Sequence, residues 1–274
     1  VHCGGKGLNQ SIAAAKAGLQ VWHAGLVGTG GAPLLDALQR YGVDTGLIRA
    51  LDQPCGHTVI QVTEAGENCI LLYGGTNTCL PESFVDETLC RFAPGDVLLL
   101  QNEVNGIPYL IRQAVRRGLR VAFNAAPMAP EVADYPLELL SWLVINEGEG
   151  AALAGTQAPA DILDRLAQRC PDTQLLLTLG AGGSVCRAGG ETWSCGVFPV
   201  RPLDTTAAGD TFLGYYLGAL LAGAPIPEAL RLSSAASALC IQRRGAADAI
   251  PLLEEVRAAL AAGSLGEMGK GASL

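Results

Sequence analysis

Residues 204–212 read Asp204-Thr205-Thr206-Ala207-Ala208-Gly209-Asp210-Thr211-Phe212, and an apolar run follows at once. Small side chains at 207–209 let a ligand approach the main chain. If Gly209 opens a helix, the N–H groups of Ala207, Ala208, Gly209 and Asp210 point outward at the positive end of its dipole. Such a cradle suits an anion, above all a phosphoryl group in transfer. Asp210, at the helix start, can take a proton from a substrate hydroxyl. The plainer reading makes Asp204 or Asp210 a simple helix cap. Two such residues flanking Ala-Ala-Gly favour a site.

A second segment, Gly4-Gly5-Lys6-Gly7-Leu8-Asn9-Gln10, leads into a helix. Glycine-rich backbone with Asn at a helix start suits a polyol, whose hydroxyls meet N–H groups and the amide. Lys6 is not a phosphate-loop lysine, because the GxxxxGK[ST] spacing is absent. A third group follows apolar runs: Glu103 after LLLQN, Asn124 after VAF, Asn146-Glu147-Gly148-Glu149 after LVI, and Thr178-Leu179-Gly180-Ala181-Gly182-Gly183 after LLL. Each alone reads equally as a turn or cap. Together, at successive strand ends, they mark the edge where open α/β sheets bind ligands. Gly28-Thr29-Gly30-Gly31-Ala32-Pro33 is a weak dinucleotide fingerprint, with no acid at the ribose distance.

The elements that must hold these groups alternate. Helices are expected over 9–18, 33–41, 81–92, 106–117, 159–169, 209–222, 226–242 and 251–261. Strands are expected over 21–27, 96–101, 119–123, 142–145 and 174–179. Hairpins are expected over 57–73, with EAGEN as its turn, and over 184–195. Strands spaced by helices imply an α/β chain with a mainly parallel, doubly wound sheet. No linker or repeat divides residues 1–274, so a single domain is expected, with a frayed tail over 263–274.

Composition agrees. The 274 residues are 49% hydrophobic and 16% charged, enough for a large core buried on both sheet faces. No run of 18 apolar residues offers a membrane span. The net charge of −8 argues against nucleic acid or an anionic membrane as partner. Nine Cys, an odd number without a CxxC pair, read as free thiols of a reducing, cytoplasmic compartment. With three His and none beside a Cys pair, zinc is not expected.

The two segments Gly4–Gln10 and Asp204–Phe212, some 200 residues apart, resemble the signatures of the ribokinase-like carbohydrate kinases of the PfkB family. Asn124-Ala125-Ala126-Pro127, Asn146-Glu147-Gly148-Glu149 and Thr178-Leu179-Gly180 strengthen the resemblance, which covers roughly residues 2–260. It implies a three-layer α/β sandwich with a small β lid, of which the hairpin 57–73 is a part. It also implies ATP-dependent phosphorylation of a primary hydroxyl of a small sugar, D-ribose first. The alternatives are another sugar, a sugar acid or a nucleoside, or a chain that only binds ligand. Asp210 would be the general base, with the amides of Ala207, Ala208 and Gly209 around the transferring group. Gly4, Gly5, Lys6, Asn9, Glu103 and Asp210 would hold the sugar. Asn146, Thr178, Gly180, Gly183, Gly209 and Ser234 would lie along the nucleotide. Glu149 would place Mg²⁺ through water. Asp204, Thr206, Cys240, Arg243, Gly245 and Ala249 would surround a monovalent cation, K⁺, several through carbonyls. A homodimer through the lid sheet is expected.

Three departures from the family pattern stand out. The chain opens at the signature, whereas family members carry a few dozen earlier residues with a central strand, so a fragment is expected. The loop after the first strand, 28–33, lacks an acid. Ala249 replaces a hydroxyl residue.

Overall fold

The computed structural model describes residues 3–62 and 68–272. Six strands form the main sheet, in the order β10-β9-β8-β7-β6-β5. They are β5 (Val97–Gln101), β6 (Arg120–Asn124), β7 (Trp142–Asn146), β8 (Gln174–Thr178), β9 (Ser184–Ala188) and β10 (Glu191–Cys195). β5 to β8 run parallel, and β9 and β10 return antiparallel as the expected second hairpin.

Alternation along each strand sorts the core into layers. Val121, Phe123, Leu143, Ile145, Leu175 and Leu177 meet α3 (Glu82–Leu89), α4 (Ile107–Arg116) and α6 (Pro159–Arg169) on one face. Ala122, Trp142, Val144 and Leu176 meet α7 (Ala208–Leu221) and α8 (Ile226–Cys240) on the other. Both faces being covered is why these strands read as continuous apolar runs. This is the expected three-layer α/β sandwich.

Ahead of this sheet lie α1 (Lys6–Lys16), β1 (Trp22–Thr29), α2 (Ala32–Arg40) and β2 (Asp44–Pro54). β1 and β2 pair in parallel as a separate two-stranded sheet. β2 was not expected: Gly46, Arg49 and Asp52 interrupt any apolar run, and its burial follows no clean alternation. The sheet is therefore not continuous. Among the described residues β1 and β5 have no strand between them, and a cavity of about 580 Å³ lies there. Consecutive residues of both strands line it, Trp22 to Val27 and Val97 to Gln101, so main-chain edges form its walls.

β3 (His57–Val62) and β4 (Asn68–Tyr73) pair as the expected hairpin. Most of its EAGEN turn lies outside the described residues. Val59, Leu71 and Leu72 are 47%, 57% and 62% exposed. A further helix, α5 (Glu147–Ala154), was also not expected, because Gly148 and Gly150 weaken it and its apolar residues form no stripe. The last helix, α9 (Leu253–Ala262), follows a loop over 241–252.

The tail is not frayed over 264–272. Leu265 is buried, Met268 packs into the core, and the Gly269 N–H donates to the Val197 carbonyl at 3.0 Å. Nor is the 28–33 segment a nucleotide loop. A Cβ on Gly28 would lie 2.1 Å from the Gln53 carbonyl, so this glycine serves the close packing of β1 on the end of β2. Cys3, Cys55, Cys79, Cys90, Cys170, Cys186, Cys195 and Cys240 are free thiols.

Candidate active site

α1 and α7 cross so closely that only glycine fits at their contact. A Cβ on Gly214 would come within 2.4 Å of the Ala13 Cβ, and one on Gly218 within 2.7 Å of the Ala17 Cβ. This approach sets the first turn of α1 against the first turn of α7. α1 begins at Lys6, earlier than the sequence suggested, so Asn9 and Gln10 sit within that turn or just after it.

Asp210 is 8% exposed. Its Oδ2 accepts from Asn9 Nδ2 and its Oδ1 from Gln10 Nε2, each at 2.9 Å. Burial raises its pKa, while the Gln10 and Asn9 donors and the Lys6 charge oppose the rise. Asn9 Oδ1 is buried without a protein partner. Unsatisfied buried acceptors are uncommon, and this one is ready for a ligand donor such as a hydroxyl.

Ala207 takes φ 61° and ψ 10°, and is the only non-glycine residue with positive φ among those described. A left-handed alanine costs about 1 kcal/mol. That turn brings the chain into α7 with the Ala208 N–H donating to the Thr205 carbonyl at 3.2 Å and the amides of Gly209 and Asp210 free at its N-terminus. A second cavity, about 230 Å³, is lined by Lys6, Asn124, Asn146, Glu149 and the 207–210 turn. Lys6 of the first signature, the 207–210 turn of the second and the strand-end residues Asn124 and Asn146, with Glu149 just beyond, thus meet at one place, while Glu103 lines the 580 Å³ cavity with Gly4 and Gly5.

Strand register explains the assembly. Gln101 pairs with Asn124 and Asn146 with Thr178, so the carboxyl ends of β5 to β8 form one rim. Asn146 caps α5 in a capping box. Its Oδ1 accepts from the Glu149 N–H, and the Glu149 carboxylate accepts from the Asn146 N–H and Nδ2, all at 2.9 Å. Glu149 is buried, which raises its pKa against the Asn146 N–H and Lys6. Glu103, just beyond β5, is likewise raised by burial and drawn down by Lys6. Lys6 is the common cation of all three carboxylates. Gly4 and Gly5 are exposed beside it.

The other expected nucleotide residues lie farther along the rim. Thr178 ends β8, Gly180 opens a short 3₁₀ turn, and Gly183 closes it. Ser234, in α8, is buried, and its hydroxyl donates to the Gly196 carbonyl at 2.9 Å. None of these lines the 230 Å³ cavity.

Asp204 ties two loops together. Its Oδ1 accepts from the Thr206 N–H at 2.9 Å and its Oδ2 from the Gly245 N–H at 3.0 Å. The Thr206 hydroxyl, then these N–H groups, hold its pKa below the usual range. Cys240 lies against the Thr206 carbonyl, with Sγ at 3.8 Å. The Arg243 side chain turns away to Glu255 at 2.7 Å. Ala249 is buried and offers no side-chain oxygen. The Asp204 carboxylate keeps lone pairs beyond its two N–H bonds, which fits a hard cation. The Glu149 carboxylate keeps lone pairs beyond its capping bonds, which fits a water-mediated Mg²⁺ contact.

Two residues of this centre had no role in the sequence reading. Gln10 stands in the first signature, but nothing in its type says that it faces the buried carboxylate. Gln101 ends an otherwise apolar strand, a signal the sequence offered and the reading passed over.

These features fit a phosphotransferase site on a three-layer α/β fold. The chain matches the pfkB family carbohydrate kinases over residues 1–253 and belongs to that family; it is an ATP-dependent sugar kinase. It is 34% identical over 261 residues to the ribokinase of Haemophilus influenzae, spanning 92% of this chain and 85% of that one. It is 33% identical over 270 residues to that of Schizosaccharomyces pombe, with the same coverage. Among solved structures, Arabidopsis thaliana ribokinase complexed with ribose and ATP superposes with a TM-score of 0.82. The two are 28% identical, over 94% of this chain and 88% of that one.

Proposed function

We propose that this kinase phosphorylates D-ribose at its primary hydroxyl, giving ribose 5-phosphate and ADP. The observation that carries the reading is a buried carboxylate, Asp210, beside the free amides of Gly209 and Asp210 at the start of α7 and next to the unpaired oxygen of Asn9. The names of the relatives supply the sugar.

The sugar lies between Gly4, Gly5, Lys6, Asn9 and Glu103, with a hydroxyl donating to Asn9 Oδ1. Its primary hydroxyl oxygen attacks the γ-phosphorus of ATP. The new P–O bond forms as the bond to the β,γ-bridging oxygen breaks, Asp210 takes the hydroxyl proton, and ADP leaves. The Gly209 and Asp210 amides, presented by the turn at Ala207 and Ala208, face the charge on the transferring group. Such transfer needs mainly positioning and electrostatics, which a rigid helix terminus supplies. Asn146, Thr178, Gly180, Gly183 and Ser234 line the nucleotide side, Ser234 through the segment its hydroxyl fastens. Glu149 would hold Mg²⁺ through water, and that ion would supply positive charge against the phosphates. Asp204, Thr206, Cys240, Arg243, Gly245 and Ala249, several through their carbonyls, would hold K⁺, whose charge would steady the loop beside the amide cradle.

The test is ATP consumption with Mg²⁺ and K⁺ across a sugar panel. Ribose is expected to give the highest kcat/KM, and higher turnover of another sugar or a nucleoside overturns ribose. ATP binding without turnover of any acceptor favours a chain that only binds ligand.

We also infer a single kinase domain whose hairpin 57–73 acts as lid and dimer sheet. Its exposed Val59, Leu71 and Tyr73 lie on one side of the hairpin and make an apolar face that a second copy would cover. Sedimentation is expected to give a dimer mass. A monomer for this chain and for Leu71→Lys alike counts against that interface.

A further inference from the structure

Gln10 is fully buried in α1 and every part of its amide is engaged. Nε2 donates to Asp210 Oδ1 at 2.9 Å and to Asn124 Oδ1 at 3.0 Å, while Oε1 accepts from Gln101 Nε2 at 2.6 Å. Asn124 is itself held, its Nδ2 donating to the Val144 carbonyl at 3.2 Å. The orientation of the Gln10 amide is therefore dictated on two sides. A flipped amide would set Oε1 against both the Asp210 carboxylate and Asn124 Oδ1, and would face the Gln101 donor with a donor. Two strand ends, Gln101 of β5 and Asn124 of β6, thus converge through one amide on one carboxylate oxygen.

We propose that Gln10 is a positioning residue for the phosphoryl transfer. Clamped by Gln101 and Asn124, it holds Asp210 in the one orientation that leaves the carboxylate facing the incoming hydroxyl. Asn9 cannot do this alone. A single donor leaves the carboxylate free to turn about its Cβ–Cγ bond, whereas donors on both oxygens fix the plane. The remaining charged and titratable groups around Asp210 are Lys6 at the start of α1, Glu103 beyond β5, Glu149 in α5 and Cys240 at the end of α8. None of them bonds the carboxylate. The inference rests on Asp210 being the base of the proposed reaction.

The test is Gln10→Met, close in size but without the amide, assayed with ATP and D-ribose across pH. Loss of a hydrogen bond to a charged group predicts a kcat lower by about ten- to a hundredfold. The KM values for both substrates are expected to stay within about threefold of wild type. Gln10 opposes the rise of the Asp210 pKa that burial causes, so its removal moves the acid limb of kcat to higher pH. A merely structural role would raise KM and leave that limb in place. Gln101→Met, which frees the Gln10 amide without touching Asp210, is expected to act in the same direction to a smaller extent. The inference is overturned if Asp210→Asn is inactive while a folded Gln10→Met keeps kcat within about twofold or loses rate with an unmoved acid limb. If Gln10→Met does not fold, Gln101→Met decides by the same two readouts. An active Asp210→Asn overturns the base itself, and with it this role for Gln10.

Discussion

Replacing Asp210 by Asn is expected to lower kcat by about two to four orders of magnitude, the range for loss of a positioned base. ATP binding stays near wild type, because the amides that face the phosphates belong to the main chain. The acid limb of the wild-type profile carries the same signature. The base works only when ionised, and burial raises the Asp210 pKa, so activity falls with decreasing pH above the range of an exposed carboxylate. Stability separates lost chemistry from lost fold. A carboxyl whose pKa is raised by folding favours the folded state most when protonated, and that contribution is lost as pH rises through its folded pKa. At pH 7 a neutral amide there is no burden. Asn9 can meet it by turning its own amide, because Oδ1 has no other partner. Thermal unfolding of Asp210→Asn at pH 7 should give a Tm equal to or above wild type. Retained turnover would remove Asp210 as the base, and a sharply lower Tm would make the activity loss uninformative.

The second large effect is expected at Gly209, through an atom that no side-chain substitution removes. Gly209 lies in the first turn of α7, where its N–H has no partner within the helix. Proline there deletes the donor while its fixed φ still suits a helix start. A Cβ at Gly209 meets nothing within 4 Å, so the cavity side of the residue is open to a side chain. If that amide faces the transferring group, Gly209→Pro loses about two to three orders of magnitude in kcat, as for one donor of an oxyanion hole. Circular dichroism and Tm check that α7 persists. A folded Gly209→Pro with near-normal kcat would place the developing charge elsewhere and leave the Ala207 turn without the catalytic reason offered here.

How much of this was written in the chain differs from element to element. β7 and β8 were legible because both faces are buried, which makes their sequences continuous apolar runs bounded by polar ends. α7 was legible from its Gly-Asp start and its uniformly apolar body. β2 and α5 were not. β2 holds its place by pairing with β1, and α5 by the Asn146–Glu149 capping box, neither of which leaves a periodic hydrophobic trace. The tail over 264–272 looked too small and polar to pack, yet Leu265 and a main-chain bond to Val197 seat it.

The same division runs through the site. The sequence by itself determined which residues could do chemistry. Asp210 before an apolar helix, Asn9 after glycines and polar residues ending apolar strands are local patterns, set by capping, dipole and sheet-edge rules that act over a few residues. Only the tertiary structure decided who meets whom. Asn9 and Gln10 reach Asp210 across some 200 residues because Gly214 and Gly218 let α7 lie directly on Ala13 and Ala17 of α1. Gln101 and Asn124 lock Gln10 because β5 and β6 pair in one register. Hydrogen bonds between side chains distant in sequence depend on packing distances of a few ångströms, and no local pattern encodes those.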